Sequence, residues 1–295
     1  MSARGMLART LHEWAGGTSA RKEALVTCTP FLKWAGGKRW LSPLAPVLRE
    51  FAPRRYFEPF LGSGAMYFAL QPSRAVLSDA NASLIETYVS IRDDWQSVWR
   101  HLTAHDRQHC DEYYYRVREM VPRTAATRAA QFIYLNRTCW NGLYRVNRSG
   151  RFNVPVGSKS RALLDTDNFA LTASVLSAAQ IRNDDFADVI AAAGAGDLIF
   201  ADPPYTVRHQ FNGFVKYNQK LFSWDDQVRL CRALEAALDR GASVVCTNAD
   251  HTSIRELYGE RFGVIGLSRF SSIAGRGGSR GSYAEVLIYG QGAVK

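Results

Sequence analysis

Short apolar runs alternate along this chain with longer segments of helical periodicity, and together they predict most of its elements. The runs at 198–201 and 243–247 are apolar enough for central strands of a parallel sheet. Residues 224–238 carry apolar side chains mostly at helical spacing and predict a helix. Other predicted strands lie near 56–60 and 75–79, at a run that ends near 181–186, and at 263–268 and 283–289, the last two antiparallel. Other predicted helices lie at 38–50, 65–70, 81–100, 106–120 and 124–135.

The apolar run at 198–201 leads directly into Asp202-Pro203-Pro204-Tyr205. Neither proline can extend a sheet, because proline has no N–H to donate, and both hold the chain extended. The Asp202 carboxylate and the Pro203 carbonyl are then fixed acceptors beside the Tyr205 ring. Two acceptors and a flat ring suit a planar base with an exocyclic amino group, whose lone pair they can direct at an electrophilic methyl group. An ordinary turn that ends a strand explains the same residues.

A glycine loop and a second acid lie upstream of this corner. Gly62-Ser63-Gly64 follows an apolar strand and leads into a helix, where glycines permit a positive φ and a close approach of the backbone to a ligand. Asp79 lies 17 residues beyond Gly62, roughly where a doubly wound fold carries the carboxylate that binds a ribose. We favour ribose binding for Asp79, and a plain tight turn followed by a helix N-cap is the alternative.

Short sequence blocks follow one another along the chain in a particular order. They read Lys-Trp-Ala-Gly-Gly-Lys at 33–38, Glu-Pro-Phe-Leu-Gly-Ser-Gly at 58–64, Ser-Asp at 78–79, Asn-Gly-Leu-Tyr-Arg-Val-Asn at 141–147, Phe-Asn-Val-Pro-Val-Gly at 152–157 and Asp-Pro-Pro-Tyr at 202–205. On these blocks, over about residues 30–290, the chain resembles the Dam-type DNA adenine-N6 methyltransferases, the alpha-group or D12 class of amino-methyltransferases. Trp140 departs from the family, whose members often have Tyr there.

The resemblance implies an α/β fold class. We expect a Rossmann-like S-adenosylmethionine-dependent methyltransferase sheet with an inserted, mostly helical target-recognition domain. The catalytic domain is expected at 28–95 and 165–295, and the DNA-binding insert at 96–164. Residues 1–27 are expected to be a disordered N-terminal extension.

The resemblance also implies roles for single residues. Asp202 is the expected catalytic acid, Pro203 completes its pocket, and Tyr205 stacks on an adenine flipped out of the duplex. The expected cofactor is S-adenosyl-L-methionine, with Asp79 on its ribose and Asp185 and Phe186 at the edge of its adenine. The full set expected to bind it is Trp34, Lys38, Glu58, Gly62, Gly64, Asp79, Asp185, Phe186 and Asp202.

Charge points to a polyanionic partner. The net charge is +10 and the isoelectric point about 9.5. Between Arg137 and Arg161 there are six Arg or Lys and no Asp or Glu, interleaved with aromatic and Asn side chains that suit phosphates and base edges. A solvated basic face is the alternative, and 269–280 is a second basic stretch. The residues expected to bind double-stranded DNA are Trp140, Asn141, Leu143, Arg145, Asn147, Arg148 and Arg151.

Other classes of protein are disfavoured by composition. The five cysteines form no close pair, and neither they nor the six histidines show metal-ligand spacing, so we expect a reduced protein without a metal. No apolar run approaches the roughly 20 residues of a membrane span. We expect a monomer in the cytoplasm of a bacterium or in phage infection, associated with the nucleoid. A cognate restriction endonuclease would act separately.

The sequence therefore predicts a site-specific DNA methyltransferase that modifies adenine N6, with GATC as the favoured site and Arg145 as the favoured reader. Two other functions stay open. A methyltransferase acting on cytosine N4, RNA adenine or a glutamine amide would favour Ser or Asn at the position of Asp202. A DNA-binding relative without activity would not need to keep Trp34, Lys38 and Asp79.

Overall fold

The computed structural model describes residues 9–11, 15, 28–147, 150–207, 222–270 and 282–292, without the side chains of 268–270 and 282–284. The second basic stretch lies largely outside these residues, as does Arg148. Of the predicted N-terminal extension at 1–27, the structure describes residues 9–11 and 15. Residues 9–11 are helical and Leu11 is buried.

The described residues form a mixed α/β fold with seven strands, as predicted. The strands are β1 (Tyr56–Glu58), β2 (Ala75–Ser78), β3 (Ala179–Arg182), β4 (Leu198–Ala201), β5 (Ser243–Ala249), β6 (Gly263–Phe270) and β7 (Ser282–Gln291). The α-helices are α1 (Ala45–Arg49), α2 (Ala65–Leu70), α3 (Ala82–Arg107), α4 (Asp111–Glu119), α5 (Ala125–Thr138), α6 (Phe169–Leu176), α7 (Phe186–Ala191), α8 (Trp224–Asp239) and α9 (Thr252–Tyr258). Short 3₁₀ helices cover Arg39–Leu44 and Trp140–Gly142.

The chain divides into two compact units. The first comprises Met1–Lys22, Pro46–Phe60 and Asp184–Lys295. Its strands follow the order β1-β4-β5-β7-β6, with β1, β4 and β5 parallel and β7 and β6 antiparallel to their neighbours. Every residue of β4 is buried, as expected of a central strand covered on both faces. Because parallel strands end at the same edge of a sheet, the residues after β4 and β5 share one edge of this unit.

The second unit comprises Glu23–Ala45 and Leu61–Asn183. It contains the parallel pair β2 and β3, and its long helix α3 packs against α5 and α6. Local signals start these helices, because side-chain oxygens satisfy N–H groups that have no partner within the helix. Asn81 caps α3, and Thr124 with Thr127 forms a reciprocal capping box at α5.

Most predicted elements are confirmed, including the bounds of β4 and the antiparallel pairing of β6 with β7. The predicted helix at 106–120 is wrong at its start, since α3 continues to Arg107 and α4 begins at Asp111. Acidic residues in the first turn of α4 favour a new start there, because they face the positive end of the helix dipole. The predicted helix at 38–50 divides into a 3₁₀ turn that contains Pro43 and the short α1. The strand predicted to end near 181–186 ends at Arg182.

Candidate active site

Asp202 is the first residue after β4, in the first unit, and a neighbouring strand holds its carboxylate. The Thr247 hydroxyl on β5 donates a hydrogen bond of 2.6 Å to Asp202 Oδ1. Strand β5 pairs with β4 in parallel, which brings Thr247 to the edge where β4 ends. Pro203 follows in a buried position. The backbone and one side-chain bond thus fix the direction of this acid.

Tyr205 is anchored in the same unit by a second strand. Its hydroxyl donates a 2.8 Å hydrogen bond to Oε2 of Glu285 on β7. Burial raises the pKa of Tyr205 well above its ordinary value, and the negative charges of Asp202 and Glu285 act in the same direction. The hydroxyl is therefore a protonated donor throughout the neutral range. The ring itself is half-buried.

Thr247 and Glu285 were missed in the sequence. Glu285 was detectable in principle, because it is the one charged residue in the apolar strand 283–289. It is buried and lies opposite Ala249 of β5. Thr247 gave no such signal, because a threonine in a strand is ordinary.

Three more predicted cofactor residues lie in the first unit. Glu58 ends β1, is buried, and accepts a 2.7 Å hydrogen bond from the Tyr56 hydroxyl. Asp185 caps α7 through the N–H of Ala187 and forms a salt bridge with Arg229.

Phe186 is buried at the start of α7, and its ring stacks on Phe60 with centroids 5.3 Å apart. The Arg229 guanidinium lies 4.2 Å from the centre of the Phe186 ring. The structure gives Asp185 and Phe186 local packing roles, and their contact with the cofactor stays a prediction.

In the second unit, the glycine loop and Asp79 are joined by hydrogen bonds. The N–H of Gly62 donates to Asp79 Oδ2 at 3.0 Å, and the N–H of Asn81 donates to Oδ1 at 2.9 Å. Burial raises the pKa of Asp79 above its ordinary value, while these two N–H groups act against the shift. Asp79 is not the N-cap of the following helix, because Asn81 takes that position.

Gly62 and Gly64 have φ angles of 48° and 63°, in the left-handed region that favours glycine. A Cβ atom on Gly62 would lie 2.8 Å from Cδ1 of Trp34, so only glycine permits the indole ring to lie this close. The structure therefore brings Trp34, Gly62 and Asp79 together. Lys38 is buried, and its ammonium group donates to the carbonyl of Gly36 at 2.8 Å.

The basic segment forms a small hairpin. Val146 and Phe152 pair in antiparallel fashion, and the N–H of Asn153 donates to the carbonyl of Arg145. We call residues 145–153 the basic hairpin. The predicted DNA contacts Arg145, Asn147 and Arg151 are exposed on it, as are Trp140 and Asn141 just before it, while Leu143 is half-buried.

An aromatic layer, formed by Trp34, Phe132, Tyr144 and Phe152, links this hairpin to the block at 33–38. Trp34 stacks on Tyr144 with centroids 5.7 Å apart, and Phe152 lies 5.5 Å from Tyr144 on the other side. Phe132 of α5 completes the layer against both Trp34 and Tyr144. Within the second unit, the predicted cofactor block and the predicted DNA-reading segment thus share one packed layer.

Comparison with known proteins decides the family. The family model described as D12 class N6 adenine-specific DNA methyltransferase matches residues 34–273. The type II methyltransferase M1.LlaDCHI of Lactococcus lactis subsp. cremoris is 32% identical, over 90% of this chain and 97% of that protein. The DNA adenine methylase of Escherichia coli K12 is also 32% identical, over 90% of this chain and 96% of that protein.

The chain belongs to the D12 class of N6 adenine-specific DNA methyltransferases. The predicted family and α/β fold class are therefore confirmed. Among solved structures, the rRNA methyltransferase aviRa of Streptomyces viridochromogenes matches with a TM-score of 0.38 and 15% identity, over 91% of this chain and 94% of that chain. That likeness is too weak to carry an argument.

Two residues of the basic segment have structural roles in this D12-class chain. Arg137 is buried and makes two 2.7 Å hydrogen bonds to the carboxylate of Asp167. Asn136, directly before Arg137, is also buried. Its side chain accepts a hydrogen bond from the N–H of Lys33 and donates one to the carbonyl of Lys33. Counting Arg137 with the basic side chains expected to bind DNA was therefore wrong. Both lie on α5, where tertiary packing turns them inward.

The described part of this D12-class chain contains no group of three or more His, Cys, Asp or Glu that could hold a metal ion. Its cysteines are Cys28, Cys110, Cys139, Cys231 and Cys246, and none of them forms a disulfide. Among the helices of that part, none combines the length and the apolar character required to cross a bilayer.

Proposed function

We propose that this chain transfers a methyl group from S-adenosylmethionine to N6 of an adenine flipped out of duplex DNA, at GATC sites. The observation that carries the proposal is the hydrogen bond from Thr247 to Asp202, which orients a carboxylate at the end of β4 close to Tyr205. Membership of the D12 class supports the choice of adenine N6.

Asp202 and Pro203 have the chemistry that the reaction needs. The adenine amino nitrogen is a poor nucleophile because its lone pair is delocalised into the ring. The Asp202 carboxylate and the Pro203 carbonyl accept hydrogen bonds from the two N–H groups of this nitrogen, and these bonds favour a pyramidal nitrogen. As that nitrogen forms the new N–C bond, the bond between the methyl carbon and the donor sulfur would break and leave a neutral thioether. The nitrogen then loses one proton to solvent by way of Asp202. The Tyr205 ring provides a flat wall against the base, as in other enzymes that act on an extruded base.

The residues of the glycine loop fit an adenosyl cofactor. A side chain at Gly62 would occupy the space against Trp34, and the neighbouring Asp79 is a half-buried carboxylate that has further acceptor positions for ribose hydroxyls. When bound, S-adenosylmethionine supplies a methyl group activated by a sulfonium sulfur. We assign the ribose to Asp79, and binding of the rest of the cofactor to the other residues of the predicted set.

We assign sequence readout to the basic hairpin and the residues just before it. Exposed cations and amides alternate there, a combination that suits phosphates and base edges. Arg145 is the main candidate reader, with Trp140 and Leu143 beside it. We place the recognition domain at 96–164 and the catalytic domain at 28–95 and 165–295. We further propose that the chain acts as a cytoplasmic monomer.

The direct test is to express the chain in cells that lack adenine methylation and to sequence their DNA for modified bases. We expect N6-methyladenine at GATC, and we expect much less of it in cells that express Asp202→Ala. Modified adenine at another motif would refute the proposed site and leave the reaction standing. Purified chain that binds S-adenosylmethionine and DNA but transfers no labelled methyl group would refute the reaction.

Asp202 could instead be a structural acid that only ties β4 to β5, since Thr247 already binds it. The two roles separate in measurement. A structural acid would affect melting temperature and leave turnover of the folded protein unchanged, whereas a catalytic acid affects turnover.

A further inference from the structure

Glu285 is a carboxylate at the start of an apolar run on its strand. It is buried on β7 and is followed by Val286, Leu287 and Ile288, all of them fully buried. An ionised carboxylate is costly to remove from water unless hydrogen bonds compensate for the lost solvation. An apolar residue would serve the packing of this strand with less cost. Its hydrogen bond from Tyr205 is therefore a contact that packing alone does not require.

Glu285 and Thr247 project from the same face of the β5–β7 pair. Glu285 lies opposite Ala249, and Leu287 lies opposite Thr247. Side chains directly opposite each other in a ladder share a face, as do residues two apart along one strand. Glu285, Ala249 and Thr247 thus share one face. From that face, Thr247 binds Asp202 and Glu285 binds Tyr205, so one strand pair holds both functional members of the corner.

The bond from Tyr205 to Glu285 determines where the ring points. The phenolic oxygen lies on the long axis of the ring, so holding that oxygen fixes the direction of the axis. A hydrogen bond to an ionised acceptor is about twice as strong as one between neutral groups. The ring is half-buried, so its exposed part depends on this anchor for its position.

We propose that Glu285 is a positioning residue for methyl transfer: it holds the Tyr205 ring where the ring stacks on the target adenine beside Asp202. This inference rests on the proposed function and extends it to a residue outside the Asp-Pro-Pro-Tyr motif. Glu285 acts through Tyr205 and does not itself contact the substrate.

The test is a double-mutant cycle on the full chain with saturating S-adenosylmethionine and unmethylated duplex. Glu285→Leu should lower kcat on the order of tenfold, because small misplacements of a positioned group are costly. Tyr205→Phe should lower it by a similar factor, because it keeps the ring and removes the anchored hydroxyl. The double variant should be no slower than the slower single variant, since each change alone already breaks the hydrogen bond between Tyr205 and Glu285. Glu285→Gln keeps an acceptor oxygen and should stay within about threefold of the parent chain.

Tyr258→Phe is the matched control. It also removes a buried tyrosine hydroxyl in the first unit, one that accepts a hydrogen bond from the buried Gln227. It should lower the melting temperature and leave kcat unchanged. A second readout uses duplex with 2-aminopurine at the target position. Stacking of 2-aminopurine on an aromatic ring quenches its fluorescence. The Glu285→Leu complex should be brighter than the parent complex.

Three results would overturn the inference: parental kcat in Glu285→Leu, multiplied losses in the double variant, or equal 2-aminopurine fluorescence in the two complexes. Each is distinct from failure of the proposed function. If the parent chain methylates no adenine, the proposed function fails and the inference fails with it. If the parent is active and Glu285→Leu matches it, only the inference fails.

Discussion

The acidic corner at Asp202–Tyr205 and the basic hairpin at 145–153 are held in different ways. In the corner, side chains from β5 and β7 bind the two functional side chains, and most of the surroundings are buried. In the hairpin, the bonds are mainly local, such as the 2.8 Å bond from the N–H of Asn147 to the carbonyl of Arg151. Arg145 and Arg151, its described cations, are exposed to solvent.

The difference matches the two tasks that we propose for these regions. Methyl transfer needs reacting atoms that are fixed within a fraction of an ångström. Side chains that are hydrogen-bonded to the strands of a sheet are held with such precision. Sequence readout needs side chains that reach a groove and adapt to it, which a surface hairpin provides. Variants in the corner should therefore change rate, and variants in the hairpin should change site preference.

Asp202→Ala should produce the largest effect. Losing a preorganised acceptor should lower kcat by about 10²–10³-fold. Single-turnover methyl transfer with labelled cofactor measures it. Asp239→Ala removes an exposed carboxylate at the end of α8, paired with Arg261, and serves as the control that keeps its turnover. Turnover of Asp202→Ala within a few-fold of the parent chain would assign the acid a structural role.

Arg145→Ala should change preference. A bidentate contact between arginine and guanine is worth about 1–3 kcal/mol of discrimination. Competition between GATC and duplexes with one altered base pair should show a narrower gap in rate, with unchanged cofactor affinity. Arg123→Ala, an exposed cation outside the hairpin, is the charge-matched control. Loss of cofactor binding in Arg145→Ala would contradict its assignment to readout.

Gly62→Ala and Gly150→Ala form a matched pair from the glycine loop and the hairpin. Both glycines have positive φ, so both changes strain the backbone by about 1–2 kcal/mol. Only Gly62→Ala also places a Cβ against Trp34, since nothing lies within 4 Å at Gly150. Calorimetry should show that Gly62→Ala alone raises the dissociation constant for S-adenosylhomocysteine about tenfold. That factor corresponds to about 1.4 kcal/mol of binding free energy. Equal loss in both variants would show that strain, and not the contact with Trp34, is responsible.

The smallest effects are expected for Thr247→Val in the corner and Asn153→Ala in the hairpin. This pair compares the contribution of one side-chain hydrogen bond to stability in each region. Thr247→Val removes one donor from the half-buried Asp202 carboxylate, which should lower the free energy of unfolding by about 1–3 kcal/mol. Asn153→Ala removes the exposed bond from Arg145 and should change it by less than about 0.5 kcal/mol. Denaturant unfolding measures both. The reverse order would contradict the contrast between corner and hairpin.

The sequence was informative wherever a pattern was local. The apolar run of β4 and the two prolines after it predicted where a strand ends and an acid follows, and the structure has β4 at the predicted residues. The anchors of that acid and of Tyr205 lie 45 and 80 residues further along the chain. Pairing over such distances depends on strand order and register, which local periodicity does not contain.

Charge was misleading at Arg137. In sequence it belongs to an uninterrupted basic segment, and basic side chains are usually exposed. Its partner Asp167 lies 30 residues away, beyond the end of that segment, so the count of like charges concealed a buried ion pair.

The aromatic layer has a consequence for re-engineering specificity. Tyr144 and Phe152 flank the tip of the hairpin and pack in the same layer as Trp34. Replacing only residues 145–151 with the corresponding residues of a relative leaves the aromatic layer intact. A longer replacement would also exchange aromatic residues of the layer, and the new rings would not be matched to Trp34. The proposed recognition hairpin of this chain should therefore be exchanged between Tyr144 and Phe152, with these two rings retained.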